Sequence, residues 1–367
     1  MTALQCILFG EILKAGWISF ERFMDAALYH PLHGYYESTR EVGRSGDFYT
    51  SVSVGGMFAE LLARDFAAWV RKADLDGPIV WVECGAHHGE FAFDFCSLVS
   101  RAAPDIWPQL TYQIIEPSSF RRARQRERLA GFGGKCRWFE SLEELPPRGL
   151  VGTLFSNELL DAMPVTRLGW NAVERTWFEW GVTVAGEDFR WARTPLRSPG
   201  ERAVQQALRR VCGDPSTGGG WAPLLDVLPD GFTLDLCPAA GAWWENAASK
   251  LSRGCLITFD YGLSTPELFS PGRASGTLRA YRDHRMDRSV LERPGEQDLT
   301  AHVDFDALEA AGFRCGMSTV ARMAQGQYLT RLAAGMDAWN PAQIRQFQTL
   351  THPSHLGCSH SVLVQSV

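Results

Sequence analysis

Hydrophobic residues follow two different patterns along this chain, and the change comes near residue 75. Before it, apolar positions fall three and four residues apart, which predicts helices. Ser19 is placed to cap one of them, with Ile18 and Phe23 as a hydrophobic staple, and that helix has to end before Pro31. We therefore expect a helical N-terminal segment, which could act as a lid, over residues 1–75.

Beyond residue 76, short apolar runs of strand length alternate with segments of helical pattern. Four such runs end on polar residues, at 79–83, 112–116, 151–158 and 255–262. This alternation predicts βαβ units and an α/β fold with a mostly parallel sheet. Ligands of such sheets bind beyond the carboxyl ends of the strands, so these polar ends are candidates for chemistry.

Two stretches interrupt the alternation, and we interpret them as insertions at about 165–235 and 265–305 in a domain spanning 76–367. Residues 165–200 alternate aromatic and polar side chains, which predicts a small antiparallel excursion. Residues 265–305 are rich in Arg, Gly, Asp and His, which predicts a long functional loop.

The composition excludes several classes of protein. A net charge of -6 disfavours a nucleic-acid-binding surface, and 45% hydrophobic residues indicate a substantial core. Nine scattered cysteines without a C-x-x-C pair predict no metal site and fit a reducing compartment. The sequence contains no signal peptide pattern and no run of about 18 apolar residues, so we expect a cytoplasmic protein without a membrane span.

The first polar strand end carries a glycine-rich turn that is a candidate cofactor loop. It runs from Glu83 through Gly85 and His87 to Gly89, and Glu116 ends the next strand. Glycines allow close approach of the backbone to a nucleotide-like ligand, and an acid at Glu116 can accept ribose hydroxyl hydrogen bonds. The alternative is an ordinary turn between a strand and a helix.

A nicotinamide oxidoreductase fits this loop less well. The G-x-G-x-x-G spacing for a pyrophosphate is absent, and an acid beside the turn disfavours one. Glu83 is instead suited to the positively charged amino acid part of S-adenosylmethionine.

Several long strings spread over the chain resemble the MidA family of class I methyltransferases. They are LYHP at 28–31, GYY at 34–36, GDFYTS at 46–51, SNELLDAMPV at 156–165, DYG at 260–262, GTLRAY at 276–281, PGEQDLTAHVDF at 294–305 and HP at 352–353. The resemblance implies a Rossmann-like, seven-stranded, mostly parallel sheet, S-adenosylmethionine as cofactor, and a nitrogen of protein arginine as the acceptor known for one mitochondrial member.

The resemblance also implies which residues bind the cofactor. They are Thr50, Ser51, Glu83, Gly85, His87, Gly89, Glu116 and Asn157. One departure concerns the glycine loop, which in the family resembles E-L-G-P-G-R-G, whereas here His87 stands at the middle glycine. If that position needs φ > 0, histidine costs about 1 kcal/mol or more.

Polar residues after the later strands are the candidate catalytic groups. Asn157, Glu158 and Asp161 begin the segment after one strand, and a helical turn there would place the two acids on one face. Asp260 ends another strand, and His302 is a candidate base or lid contact. Carboxylates can localise the charge of a guanidinium on one nitrogen. The alternative is that Asn157 and Asp161 only cap a helix.

We expect a protein substrate as partner, with a respiratory-complex subunit as the first candidate and a homodimer left open. Two other hypotheses stay open beside an active protein methyltransferase. One is a non-catalytic assembly factor that has lost donor binding, and the other is a small-molecule methyltransferase.

Overall fold

The computed structural model describes residues 1–37, 50–75, 77–217, 220–282, 285–287, 289–336 and 339–367. Residues 46–49 of the family-like strings lie outside this part of the chain. The chain divides into two compact units. The sheet unit comprises 49–159, 243–261 and 309–367, and the antiparallel unit comprises 1–48, 160–242 and 262–308.

The helices and strands are numbered separately along the chain. The α-helices of the described residues are α1 (Ala3–Ala15), α2 (Phe20–Tyr29), α3 (Met57–Lys72), α4 (Glu90–Ala102), α5 (Ser119–Arg128), α6 (Ser198–Cys212), α7 (Ala222–Val227), α8 (Pro238–Lys250), α9 (Thr265–Leu268), α10 (Phe305–Arg314), α11 (Gln325–Leu332) and α12 (Pro341–Thr351). The strands are β1 (Ile18–Ser19), β2 (Ile79–Cys84), β3 (Leu110–Ile115), β4 (Cys136–Phe139), β5 (Leu150–Asn157), β6 (Thr166–Asn171), β7 (Thr176–Ala185), β8 (Asp188–Thr194), β9 (Thr233–Leu236), β10 (Leu251–Asp260), β11 (Gly262–Leu263), β12 (Arg279–Arg282), β13 (Arg285–Asp287), β14 (Asp298–Thr300), β15 (Val303–Asp304), β16 (Ser318–Ala324) and β17 (Ser361–Ser366).

Seven strands form the central sheet of the sheet unit, in the order β16-β17-β10-β5-β2-β3-β4. The pairs from β10 to β4 are parallel, and β17 runs antiparallel to both of its neighbours. The predicted seven-stranded, mostly parallel sheet is therefore confirmed. The four strands predicted with polar ends are β2, β3, β5 and β10.

Both faces of this sheet are covered, which explains the continuous apolar runs. Every residue of β2 is buried. An aromatic cluster packs over it, with ring centroids of Trp81 and Phe95 4.3 Å apart and those of Phe91 and Phe155 4.6 Å apart. Helix α3 belongs to this unit, so the observed division differs from the boundary expected at residue 75.

A second sheet organises the antiparallel unit, with the order β1-β7-β6-β9 and β8 paired to β7. The strands β6, β7 and β8 pair antiparallel, as the aromatic–polar alternation predicts. The side chain of Ser19 caps α2 by accepting a hydrogen bond from the backbone N–H of Arg22 at 3.2 Å, and α2 ends at Tyr29. Both predictions for this helix are confirmed.

The prediction of a long loop over 265–305 is wrong. Its described residues hold α9 and a three-stranded antiparallel sheet, β13-β12-β14. Ala280 and Leu299 are opposite each other in that sheet, and both are buried. Because their neighbours in the sequence are polar, the hydrophobic pattern does not reveal these two short strands. In the described residues no helix is long and apolar enough to cross a membrane, and no three metal-binding side chains cluster.

Candidate active site

The glycine loop between β2 and α4 has three residues in the left-handed region. The φ angles are 77° at Gly85, 45° at His87 and 79° at Gly89. A Cβ atom at Gly85 would lie 3.0 Å from a methyl carbon of Leu159, so a larger residue would have to displace that side chain as well as adopt a left-handed φ. His87 therefore occupies a position that favours glycine, as the departure from the family loop predicts.

Two histidine rings, those of His87 and His88, lie together in this loop with centroids 3.8 Å apart. Nε2 of His87 and both ring nitrogens of His88 have no hydrogen-bond partner in the described part of the chain. Burial lowers the pKa of His87, and burial lowers the pKa of His88 to about 4. Both rings are consequently neutral near pH 7.

Glu116, the acid after β3, is buried and joined to the glycine loop through one amide. Its Oε1 accepts the N–H of Ser118 at 3.0 Å. Nε2 of Gln125 lies 2.9 Å from the carbonyl oxygen of His87 and 3.4 Å from Oε2 of Glu116. A buried, oriented carboxylate beside a glycine turn fits the ribose of S-adenosylmethionine.

Glu83 is in a different environment from the one its sequence position indicates. Its Oε2 accepts the hydroxyl of Tyr112 at 2.6 Å, and the side chain is buried. Burial raises the pKa of Glu83 to about 8, against the lowering effect of the Tyr112 hydrogen bond. Burial thus favours the neutral form of this carboxyl, an effect that a cation beside it would oppose.

The chain turns sharply after β5, where a helical turn was expected. Residues 158–165 form no helix, and Glu158 has a φ of 50°. The N–H of Glu158 donates to the carbonyl oxygen of Phe259 at 2.8 Å, and that of Leu159 donates to Oδ2 of Asp260 at 3.3 Å. The first bond continues the pairing with β10, and the second joins the turn to a β10 side chain. Neither closes a helical turn, so Glu158 and Asp161 do not share a helix face.

The carboxylate of Glu158 is the centre of a buried polar cluster in the sheet unit. Its side chain is 6% exposed. Oε1 accepts the N–H of Ser51 and an N–H of the Asn157 amide, both at 3.1 Å. Oε2 of Glu158 and Oδ1 of Asn157 are buried without a hydrogen-bond partner in the described residues. The carboxyl end of β5 therefore presents two buried hydrogen-bond acceptors that have no donor among the described residues.

Thr50 and Ser51 are held next to this cluster. Thr50 and Ser53 exchange hydrogen bonds between backbone and hydroxyl groups at 3.1 Å, which fixes the turn that presents the N–H of Ser51. The hydroxyl of Ser51 donates to Oε1 of the buried Gln325 at 3.0 Å. The structure thus brings Ser51, Asn157, Glu158 and Asp260 together.

His360 belongs to the same cluster, although it is not among the candidate residues that the sequence predicts. Its side chain is fully buried, and Nε2 lies 3.3 Å from Oε1 of Glu158. The antiparallel strand β17 starts at Ser361, opposite Asp260, so the residue before it arrives at the carboxyl ends of the parallel strands. A histidine directly before the last apolar strand was the available indication.

Asp161 and His302 lie in the antiparallel unit. The carbonyl oxygen of Asp161 accepts the N–H of Ala301 at 2.9 Å, and its side chain is buried. The N–H of His302 donates to the hydroxyl of Thr277 at 3.1 Å. Burial lowers the pKa of His302 to about 4, which makes its ring a weak base.

A cavity of about 590 Å³ lies in the sheet unit between α3, α4 and α12. Its lining combines apolar side chains such as Met57 and Phe93 with the acids Glu60 and Asp94. Asn157, Glu158 and His360 are not part of it, so this cavity is separate from the polar cluster.

Comparisons with known proteins identify the family of this chain. The family described as S-adenosyl-L-methionine-dependent methyltransferase, Methyltransf_28, matches residues 61–322. The chain belongs to this methyltransferase family. S-adenosylmethionine is accordingly its methyl donor, and the glycine loop with Glu116 fits that molecule.

Two curated relatives and one solved structure illustrate how far the likeness of this methyltransferase extends. The protein arginine methyltransferase NDUFAF7 homolog of Drosophila melanogaster is 26% identical, over 88% of this chain and 73% of that protein. The human protein arginine methyltransferase NDUFAF7 is 24% identical, over 95% and 79% of the two chains. A methyltransferase-like crystal structure from Burkholderia thailandensis, bound to S-adenosyl-homocysteine, is 29% identical with a TM-score of 0.82, covering 100% of this chain and 92% of that one.

These relatives correct one expectation from the sequence. The proteins from Drosophila melanogaster and Homo sapiens are both named as mitochondrial. The prediction of a cytoplasmic location is therefore wrong. It rested on the lack of a recognisable signal peptide pattern, which carries little information about location.

Proposed function

We propose that this methyltransferase transfers a methyl group to a guanidinium nitrogen of arginine in a protein substrate. The observation that carries the proposal is the pair of buried acceptors without donors, Oε2 of Glu158 and Oδ1 of Asn157. A guanidinium group offers five N–H donors and no acceptor, which complements such a pair. The curated relatives are named as protein arginine methyltransferases, which supports the same acceptor.

The proposed chemistry asks the protein for alignment and charge control. The donor supplies an activated methyl group when it is bound, so the main barrier lies in presenting an uncharged nitrogen lone pair. Glu158 pairs with the guanidinium and concentrates its charge away from the attacking nitrogen, and Asn157 fixes the plane of the group. Asp260 holds the turn in place through the N–H groups of Leu159 and Tyr261.

On the donor side, we propose that Glu116 binds the ribose hydroxyls and that Gly85 and Gly89 allow the backbone to approach the ligand. Thr50 and Ser51 belong to this side by the family resemblance, and their turn also supports the acceptor side, because the N–H of Ser51 donates to Glu158. His87 also belongs to this proposed donor site, where its ring occupies space that a glycine would leave open.

The identity of the acceptor protein is a further proposal, and it is supported by the family resemblance alone. The MidA resemblance makes a subunit of a respiratory complex the first protein to test. A homodimer of this chain is the accompanying hypothesis for its assembly, and sedimentation velocity of the purified protein measures it.

The test begins with calorimetric titration of the purified protein with S-adenosyl-homocysteine, for which we expect micromolar binding. The protein is then incubated with methyl-labelled donor and the proteins of a cell extract, and labelled products are hydrolysed to amino acids. We expect label in methylarginine. Label in another amino acid or only in small molecules would overturn the arginine proposal, and an absence of donor binding would point to the non-catalytic hypothesis.

A further inference from the structure

His360 contacts Glu158 in a geometry that would allow a proton to pass between the two side chains. We propose that His360 is a positioning residue of proton transfer, which receives through Glu158 the proton that the acceptor guanidinium loses on methylation. This inference rests on the proposed arginine acceptor. It concerns a residue outside every motif that identified the family.

The first support is the placement of the two groups. Nε2 of His360 lies 3.3 Å from Oε1 of Glu158, with 0% and 6% of the two side chains exposed. At this distance Nε2 still has no hydrogen-bond partner among the described residues. The imidazole and the carboxylate are therefore close enough to exchange a proton, although no hydrogen bond joins them.

The second support is the ring's orientation. Nδ1 of His360 lies 3.0 Å from the hydroxyl of Ser359, which can donate or accept according to the tautomer. The ring packs against that of Tyr261 at 4.0 Å between centroids. Serine and tyrosine together direct Nε2 to the carboxylate while leaving the tautomer free to change.

The third support is the proton balance of the reaction. The bond from a guanidinium nitrogen to the methyl carbon forms while the bond from that carbon to sulfur breaks, and the electron pair of the broken bond stays on sulfur. The methylated guanidinium keeps one positive charge, so one proton must leave the nitrogen. Oε2 of Glu158, which has no donor of its own, is the first acceptor, and Nε2 of His360 beside Oε1 is the second.

The groups around His360 are consistent with its role as the second proton acceptor. Glu158 approaches it from the end of β5, and Tyr261 and Asp260 approach from the end of β10. Asp260 is engaged by the backbone N–H groups of Leu159 and Tyr261. Among side-chain types, histidine is the one that takes up and releases protons near neutral pH.

The experiment compares His360→Gln with His360→Ala under saturating donor. A glutamine amide can contact Glu158 but cannot accept a proton, so proton transfer predicts that both variants lose about 100-fold in kcat with little change in KM. Free imidazole at millimolar concentration should restore part of the activity of the alanine variant. The exposed His355→Gln is the matched control and should keep wild-type kcat.

Two results would overturn the inference. One is wild-type kcat in His360→Gln, which would show that holding Glu158 is all the residue does. The other is the absence of imidazole rescue in a His360→Ala protein that is folded by circular dichroism and binds S-adenosyl-homocysteine like the wild type.

A second measurement keeps the inference testable if no protein arginine is methylated. The ring nitrogens of ¹⁵N-histidine-labelled protein are titrated by NMR, with S-adenosyl-homocysteine bound and with or without acetyl-arginine amide as the probe. A cation on Glu158 should change the ¹⁵N chemical shifts of the His360 ring in the wild type and leave them unchanged in Glu158→Gln. No shift in the wild type would refute the link between the two residues, whatever the natural acceptor is.

Discussion

The glycine loop and the polar cluster around Glu158 lie at the carboxyl ends of neighbouring strands, β2 and β5, yet they are built by opposite means. The loop depends on backbone conformation, with left-handed residues at 85, 87 and 89. Burial favours the neutral forms of its titratable side chains, because it raises the pKa of Glu83 and lowers that of His88. The cluster instead presents polar side-chain oxygens, two of which have no donor among the described residues.

This difference fits the two ligands of a methyl transfer. A donor that carries its own charge and reactivity needs a shaped and close-fitting loop, whereas a guanidinium acceptor needs a fixed negative partner. We therefore expect changes in the loop to alter binding of the donor and changes in the cluster to alter turnover.

Glu158→Gln should abolish most of the activity while leaving the donor bound. The amide keeps the volume and can accept the N–H of Ser51, but it carries no charge to pair with a guanidinium. We expect kcat to fall about 100- to 10,000-fold, the range for a lost acid–base group. Initial rates with labelled donor measure it, and the calorimetric Kd of S-adenosyl-homocysteine should change less than about twofold, well under 1 kcal/mol.

The exposed Glu127→Gln is the control for this variant, since it removes the same charge from a solvated helix face. If Glu158→Gln lowered donor affinity as strongly as turnover, the two regions would not divide their tasks, and Glu158 would belong to the donor site.

Glu83→Gln should make the protein's stability less dependent on pH. The folded pKa of about 8 lies above the unfolded value of 4.5, so the folded chain binds this proton more tightly. The stabilisation is fully present below pH 4.5 and is lost as the pH rises to about 8, by an amount of order 4 kcal/mol. The variant stays neutral, so it should be more stable than wild type at pH 8 to 9.

Urea unfolding at pH 5, 7 and 9 measures this effect as the difference between wild type and variant. The exposed Glu187→Gln should follow the wild-type curve. Equal pH slopes for wild type and Glu83→Gln would show that Glu83 is ionised in the folded chain, which would restore it as a partner for the donor's ammonium group.

The sequence predicts the loop better than the cluster, and the reason is the range of the interactions involved. Glu116, beside the loop, could be predicted because it ends an apolar run whose pattern is local, and among the residues of the cluster the same holds for Asp260. The left-handed conformation of Glu158 could not, since it depends on hydrogen bonds to β10, a hundred residues later in the chain. His360 enters the site through the antiparallel pairing of β17, which no local pattern reveals.

His87→Gly should strengthen donor binding, a smaller effect than the two above. The substitution removes the ring, which limits the space for the donor in the loop. It also relieves a left-handed histidine, whose strain of about 1 kcal/mol is present without donor and therefore bears on stability and not on Kd. We expect about a fivefold tighter Kd for S-adenosyl-homocysteine. His87→Ala separates the two effects, because it removes the ring and keeps the strained Cβ. Weaker binding in both variants would instead show that the imidazole contacts the donor.

The smallest expected effect is that of His302→Gln, which tests whether the antiparallel unit supplies a base. Because burial lowers the pKa of His302 to about 4, its ring stays neutral and weakly basic from pH 6 upwards. A weak base gains little from proton transfer near neutral pH, so we expect kcat to change less than about threefold. The pH profile of kcat between 5.5 and 8.5 should also keep its shape, because no group at that position titrates there. A loss of more than about 100-fold would make His302 a catalytic base after all. It would also mean that binding of the acceptor raises its pKa, so the proton would leave the guanidinium by a route other than Glu158 and His360.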